Sequence, residues 1–309
     1  MYFLLFKIDF SITSIYLKNM PLSTSAKCTP LPSLQEGTLK WLHIEVVVDR
    51  SGSMQSFGDS IAPTLNEFIA SQKFQKEQEI QELQTLIDTL SEGDEKKTKL
   101  TELKTLEDHT ESTINLITFD TKVEQPWCSS NQSVLRRITE AEVKPEDVKP
   151  RAMTALNDAL YMACNNILKM REYATTCDFT GIIVTMTDGQ ENSSETPHAT
   201  LTEKIKELTD MGITFMFLAA NQDAIAEAAK MGISKNNALN VGTSKENYGS
   251  AMRAVSGNIA RTRTGDNTGF SGLERTASST PRPVEHSQTN PQEGNVLKRS
   301  PAAGLLRRQ

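Results

Sequence analysis

Cysteine is scarce: Cys28, Cys128, Cys164 and Cys177 are the only four in 309 residues, and no two lie at the close spacing of a paired metal-ligand motif. A zinc-stapled or disulfide-stapled scaffold is therefore not expected, and reduced thiols in a cytoplasmic setting are the simpler reading. Positive charge is not in excess either. The 33 Lys and Arg against 39 Asp and Glu leave a formal charge of −6, so no global field gathers phosphate, and nucleic acid is not an expected partner. No apolar run approaches the roughly 20 residues that a membrane helix needs. Near the N-terminus the longest such run, Tyr2 to Phe6, is cut by Lys7 and Asp9, too short for the core of a signal peptide. No membrane is expected, and residues 1–40 read as a poorly ordered extension with Met20 as an alternative start. Two catalytic loops are also missing: "DRSGS" lacks the first glycine of G-x-S-x-G, and no glycine-rich run closes on Lys followed by Ser or Thr.

What is present is an alternation of strands and helices. Ile44 to Val48 is a β-branched run broken only by Glu45, and Ser60 to Lys73 then carries Ile61, Leu65, Phe68 and Ile69 at helical spacing. "STINLITFD", "GIIVTMTD" and "GITFMFLAAN" predict further strands, with a weaker one over Ala238 to Val241. Helices are predicted over Ala155 to Met170, Thr202 to Met211 and Asp223 to Met231. Such alternation implies an α/β fold, a doubly wound and mostly parallel sheet with helices on both faces. "KVEQPW" suits a short antiparallel edge, where Pro126 is tolerated. Gln75 to Glu111 departs from the pattern: Ile80, Leu83, Ile87 and Leu90, then Leu100, Leu103 and Leu106, flank a "SEGDE" break and predict an inserted helical hairpin. Because it follows a helix that starts at the carboxyl edge of its strand, the hairpin should project from the opposite edge. The expected organisation is an extension (1–40), one domain (41–257, with the insertion at 75–111) and a disordered tail (258–309), poor in aromatics and mildly basic.

Chemistry concentrates in "VVVDRSGSMQS". Asp49, Ser51 and Ser53 follow the first strand at alternate positions, and Asp188 follows "GIIVTMT". Ligands of open α/β sheets bind outside the carboxyl ends of strands where the strand order reverses, so the two aspartates would share one crevice if their strands are neighbours. Thr154, at a predicted helix N-cap, lies at the same edge. Hydroxyls and carboxylates together are an all-oxygen set suited to a hard cation, Mg²⁺ or Mn²⁺. The competing reading makes Asp49 a helix cap and Asp188 a turn residue. Asp158, one helical turn after Thr154, is either a support for the cluster or a surface carboxylate. Asn221 and Asp223 either line the rim or cap the next helix. Glu191 and Asn192 read as polar loop groups, and His43, His109, His198 and His286 share no spacing.

"DRSGSM", Thr154 and "TDG" together resemble the metal-ion-dependent adhesion site of von Willebrand factor type A domains. The likeness runs from about Trp41 to Gly242, and "LITFD", "TALNDAL" and "TDGQENSS" resemble an intracellular group common in bacteria and phages. The resemblance implies direct metal coordination by Ser51 and Ser53, by Thr154 in one state, and by Asp49 and Asp188 directly or through water. It implies a non-enzymatic module whose partner protein completes the ion with an Asp or Glu. A metal-dependent hydrolase and an assembly protein acting through the hairpin are the alternatives. One departure stands out: where the family has glycine just before the threonine, this chain has Ala152 and Met153.

Overall fold

A computed structural model describes residues 38–128 and 136–279. Residues 1–37, which carry most of the expected extension, and the tail from residue 280 lie outside that range. The α/β expectation holds. β1 (Lys40–Asp49), β2 (Thr110–Phe119), β5 (Asp178–Thr187), β6 (Thr214–Ala220) and β7 (Ala238–Val241) are parallel neighbours in the order β2-β1-β5-β6-β7. Two short strands, β3 (Val123–Glu124) and β4 (Arg136–Arg137), pair antiparallel with β2, as "KVEQPW" predicted for the first of them.

Each face of the sheet is covered. Leu42, Ile44, Val46 and Val48 of β1 pack into a core with α1 (Ile61–Thr89) and α6 (Lys245–Arg263), while Val47 faces α3 (Leu156–Tyr173), α4 (His198–Asp210) and α5 (Ala224–Lys230). Glu45, the odd residue in an apolar strand, is fully buried on that second face. There His43 Nε2 lies 3.0 Å from its Oε1, and Asn115 donates to its Oε2 at 2.8 Å. A buried carboxylate is tolerated because its lone pairs are filled.

α1 is 29 residues long, about 44 Å at the helical rise, and overshoots the sheet. Its buried residues stop at Gln72, apart from Ile87. The overshoot and α2 (Asp94–Asp108) form the expected hairpin, with Lys76 Nζ bonded to Thr110 O at 2.9 Å across its base. A cavity of about 710 Å³ between the two helices is bounded by Lys40 and Thr110, the first residues of β1 and β2. That places the hairpin at the amino edge of the sheet, away from Asp49.

Two expectations are corrected. The tail does not begin at Asn258: α6 runs through it, and α7 (Gly272–Ser279) follows. Gly242 N donates to Ser278 O at 2.8 Å and Phe270 N to Asn236 O at 2.8 Å, so this segment covers the edge strand β7. The segment is held by Tyr248, Met252, Val255 and Ile259 of α6 and by Phe270, but small polar residues are buried among them. Asn247, Ser250, Ser256 and Asn258 are buried in α6, a composition that reads as loop because such residues are weak helix formers. The thiols differ too. Cys128 is disulfide-bonded, whereas Cys164 and Cys177 are free, and burial pushes the Cys164 thiol up to about 12. Among the described residues, no helix is long and apolar enough to cross a membrane.

Candidate metal centre

The strand order reverses between β1 and β5, whose register sets Val48 against Met186. Asp49 and Thr187 therefore end adjacent strands, and Asp188 follows one residue later at the same edge. Thr187 Oγ1 donates to Asp49 Oδ2 at 2.6 Å, and Ser51 N donates to Asp49 Oδ1 at 2.6 Å. On the other side, Ser51 Oγ and Ser53 Oγ are 3.0 Å apart, and Ser53 Oγ donates to Asp188 Oδ1 at 2.6 Å. The alternation of residues 49, 51 and 53 thus turns three oxygen side chains toward one spot.

Gly189 shows how tightly Thr154 joins them. A Cβ at this glycine would stand 3.0 Å from Thr154 Oγ1, 3.5 Å from Ser53 Oγ and 3.7 Å from Asp49 Oδ2. Glycine leaves that space open. Asp49, Ser51, Thr154 and Asp188 are all buried, and Asp188 Oδ2 has no hydrogen-bond partner among the described residues. Buried polar atoms are rarely left so. Burial pushes both carboxyls above the usual range; at Asp188, burial first and the Asp49 charge second take it to about 6. Two desolvated acids with an unfilled lone pair lack a positive charge, so the donor set fits a hard divalent cation. Among the described residues no cluster of three His, Cys, Asp or Glu offers a softer alternative.

The remaining candidates lie elsewhere. Asp158 accepts from Thr196 N at 2.8 Å and Glu195 N at 3.0 Å, so it anchors the loop after Asp188 instead of turning to the cluster. Asp223 is the N-cap of α5, accepting from Ile225 N and Ala226 N. Asn221 stands exposed beside it, at φ +57°. Thr154 is not the N-cap it was expected to be; Ala155 is, and makes no side-chain cap bond. Thr154 is instead tied by its backbone to Asn192, which donates N–H to Thr154 O at 3.1 Å and accepts Thr154 N–H on Oδ1 at 3.0 Å. Glu191 accepts from Asn157 N, Ser193 N and Ser194 N, the loop role read for it.

Sequence reasoning passed over Thr187, although it directly precedes Asp188. The departure read at Ala152 and Met153 shows in the backbone, where Ala152 adopts φ +57°. A Cβ in that region is strained. Ala152→Gly should therefore raise stability by about 0.5–1 kcal/mol, read as a higher urea midpoint at unchanged slope; a lower midpoint would contradict it.

The sequence model of the von Willebrand factor type A domain matches residues 43–254, more than half of the chain. No curated protein matches it. Solved structures that match include proximal thread matrix protein 1 from the mussel byssus with a zinc-occupied MIDAS motif, 16% identical over 72% of this chain and 49% of that one, TM-score 0.44. Manganese-loaded TRAP protein of Plasmodium vivax is 17% identical over 59% of this chain and 57% of that one, TM-score 0.34. A von Willebrand factor type A protein from Catenulispora acidiphila is 15% identical over 74% of this chain and 43% of that one, TM-score 0.41. The chain spans about half the length of the solved chains it matches first.

Proposed function

The chain belongs to the von Willebrand factor type A domain family, and on that premise we propose that it is a metal-dependent protein-binding module. In this reading Ser51, Ser53 and Thr154 hold Mg²⁺ or Mn²⁺, with Asp49 and Asp188 direct or through water, and a partner protein contributes an Asp or Glu. The observation that carries it is the orphaned Asp188 Oδ2 inside a cluster of three hydroxyls and two desolvated carboxylates. When bound, the ion supplies an electrophile. With few formal charges supplied by Ser51, Ser53 and Thr154, such an ion would keep affinity for an outside carboxylate.

The chain's own groups prepare that role. Thr187 and the Ser51 backbone fix Asp49, Ser53 orients Asp188, and Gly189 keeps the approach open. Among the described residues, the groups hydrogen-bonded to the cluster are hydroxyls, an amide and backbone, without a His, Lys or Cys to serve as general base, which favours binding over hydrolysis. Capture of partners from a lysate with Mg²⁺ and with EDTA tests the reading. Partners should be retained with Mg²⁺, released by EDTA, and lost again when the partner's contacting Asp or Glu is changed to Ala. Capture indifferent to the metal would contradict it.

A further inference from the structure

Beside the metal centre lies a second charged cluster that the family resemblance did not indicate. Arg50 and Asp120 are both buried, each 3% exposed. The Arg50 guanidinium pairs with Asp120 Oδ2 at 3.0 Å and Glu124 Oε2 at 2.7 Å. Arg151 pairs with the same two acids, at Asp120 Oδ2 through Nε and at Glu124 Oε1 through Nη2, the second at 2.9 Å. Two guanidiniums and two carboxylates cancel in charge. They also join the loop after β1, the β2–β3 hairpin and the loop before α3.

The backbone repeats those connections. Arg151 N donates to Arg50 O at 2.6 Å and Gly52 N to Ala152 O at 3.1 Å, so the Thr154 loop is laced to the Asp49–Ser53 loop. Ala155 N donates to Asp120 O at 2.7 Å, and Met153 N to Thr121 Oγ1 at 3.3 Å. Thr154 thus lies between two residues whose amides are fixed to the loop after β2. Ala152 is held at φ +57° between the same anchors, a conformation that persists only where the surroundings over-determine it.

The geometry points to a clamp: the Arg50–Asp120–Glu124–Arg151 cluster holds the Thr154 loop against the Asp49–Ser53 loop, so that the Thr154 hydroxyl is preset at the metal centre. Arg151 and Asp120 are then positioning residues, acting on the ion through Thr154. This rests on the metal-binding reading, and it differs from a two-state threonine, because here the loop is pinned in place by side chains and backbone alike. Partners of this kind, one step removed from a ligand, commonly set metal affinity by ten- to a hundredfold.

The test is a double-mutant cycle on Mn²⁺ affinity, measured by calorimetry on the full chain made metal-free. Arg151 is half-exposed, and its removal leaves Arg50 paired with both acids, so Arg151→Ala should fold; melting in EDTA checks this, and Glu124→Gln is the milder second variant. Arg151→Ala should weaken Mn²⁺ about tenfold, and Glu124→Gln by less. Thr154→Ala should weaken it strongly in the wild-type background but by less than about twofold in the Arg151→Ala background, since an unclamped threonine no longer contributes. A merely structural Arg151 would lower the melting temperature and leave the two effects additive. Unchanged affinity in Arg151→Ala, or additivity, overturns the clamp while the metal reading stands. Failure of the wild type to bind Mn²⁺ overturns the metal reading and the clamp with it.

Discussion

Asp188→Ala should abolish the rise in melting temperature that Mg²⁺ gives the wild-type protein, and in EDTA the variant should melt no lower than wild type. At a hundredfold excess of ion over its Kd, binding stabilises the native state by about 2.7 kcal/mol, or roughly 5–10 °C for a domain of this size. The lack of a penalty in EDTA follows from electrostatics. Asp188 is buried beside Asp49 and carries a carboxyl raised to about 6, so removing it relieves a cost. pH provides the companion result. Because the folded-state pKa lies above the unfolded value near 3.8, the metal-free fold binds more protons than the unfolded chain between these values. The contribution of Asp188 to metal-free stability is then full below pH 3.8 and lost as pH rises through about 6. Ion and proton compete for the same carboxylate. The Mg²⁺-induced rise should therefore be full at pH 7.5 and shrink as pH falls through 6. A rise that survives Asp188→Ala, or that grows on acidification, would contradict this assignment.

Truncation after Gly257, at the boundary that composition suggested, should leave a chain that no longer unfolds cooperatively. The lost segment contains Ile259, fully buried, and Phe270, 5% exposed. Large apolar side chains of this kind cost about 2–5 kcal/mol each when removed, against a total stability of about 5–15 kcal/mol. It also contains Arg275, which donates to the carbonyls of Ala238, Lys235 and Asn236, and Glu274, which takes both Nη1 and Nη2 of Arg261. Without α7 the edge of β7 is bare. Gly269→Ala isolates the docking from the chain length. That glycine has φ +82°, and a Cβ there would collide with the backbone carbonyl of Asn236, so the substitution should lower the urea midpoint markedly. A truncated chain with a sharp urea transition at the full-length midpoint would show that residues 258–279 are dispensable.

The contrast between the cluster and the tail explains what the sequence made legible. Asp49, Ser51 and Ser53 could be read because a strand end followed by alternate oxygen side chains is a local pattern, and Asp188 because its own strand points it to the same edge. Their convergence depended on β1 and β5 being neighbours, a relation that alternating strands and helices allow without fixing. α6 and α7 were harder to read because Asn247, Ser250, Ser256 and Asn258 are buried among the apolar residues of α6, Ile259 being the last of these, and because the one buried residue of α7 is Ser278, so helix propensity marks neither strongly. The four-residue ion cluster was not legible for a different reason. Arg50, Asp120 and Arg151 come from three separate loops and Glu124 from the short strand β3, and nothing local distinguishes them from surface charges. Asp158 and Asp223 show the converse: one carboxylate is taken up by the amides of Glu195 and Thr196 and the other by the first turn of its own helix α5.

Anomalous scattering from Mn²⁺ in crystals of the protein tests the central claim most directly. A single strong peak bounded by Ser51, Ser53, Thr154, Asp49 and Asp188 is the predicted result; Mn²⁺ found only elsewhere, with Asp188 Oδ2 still unbound, would contradict it.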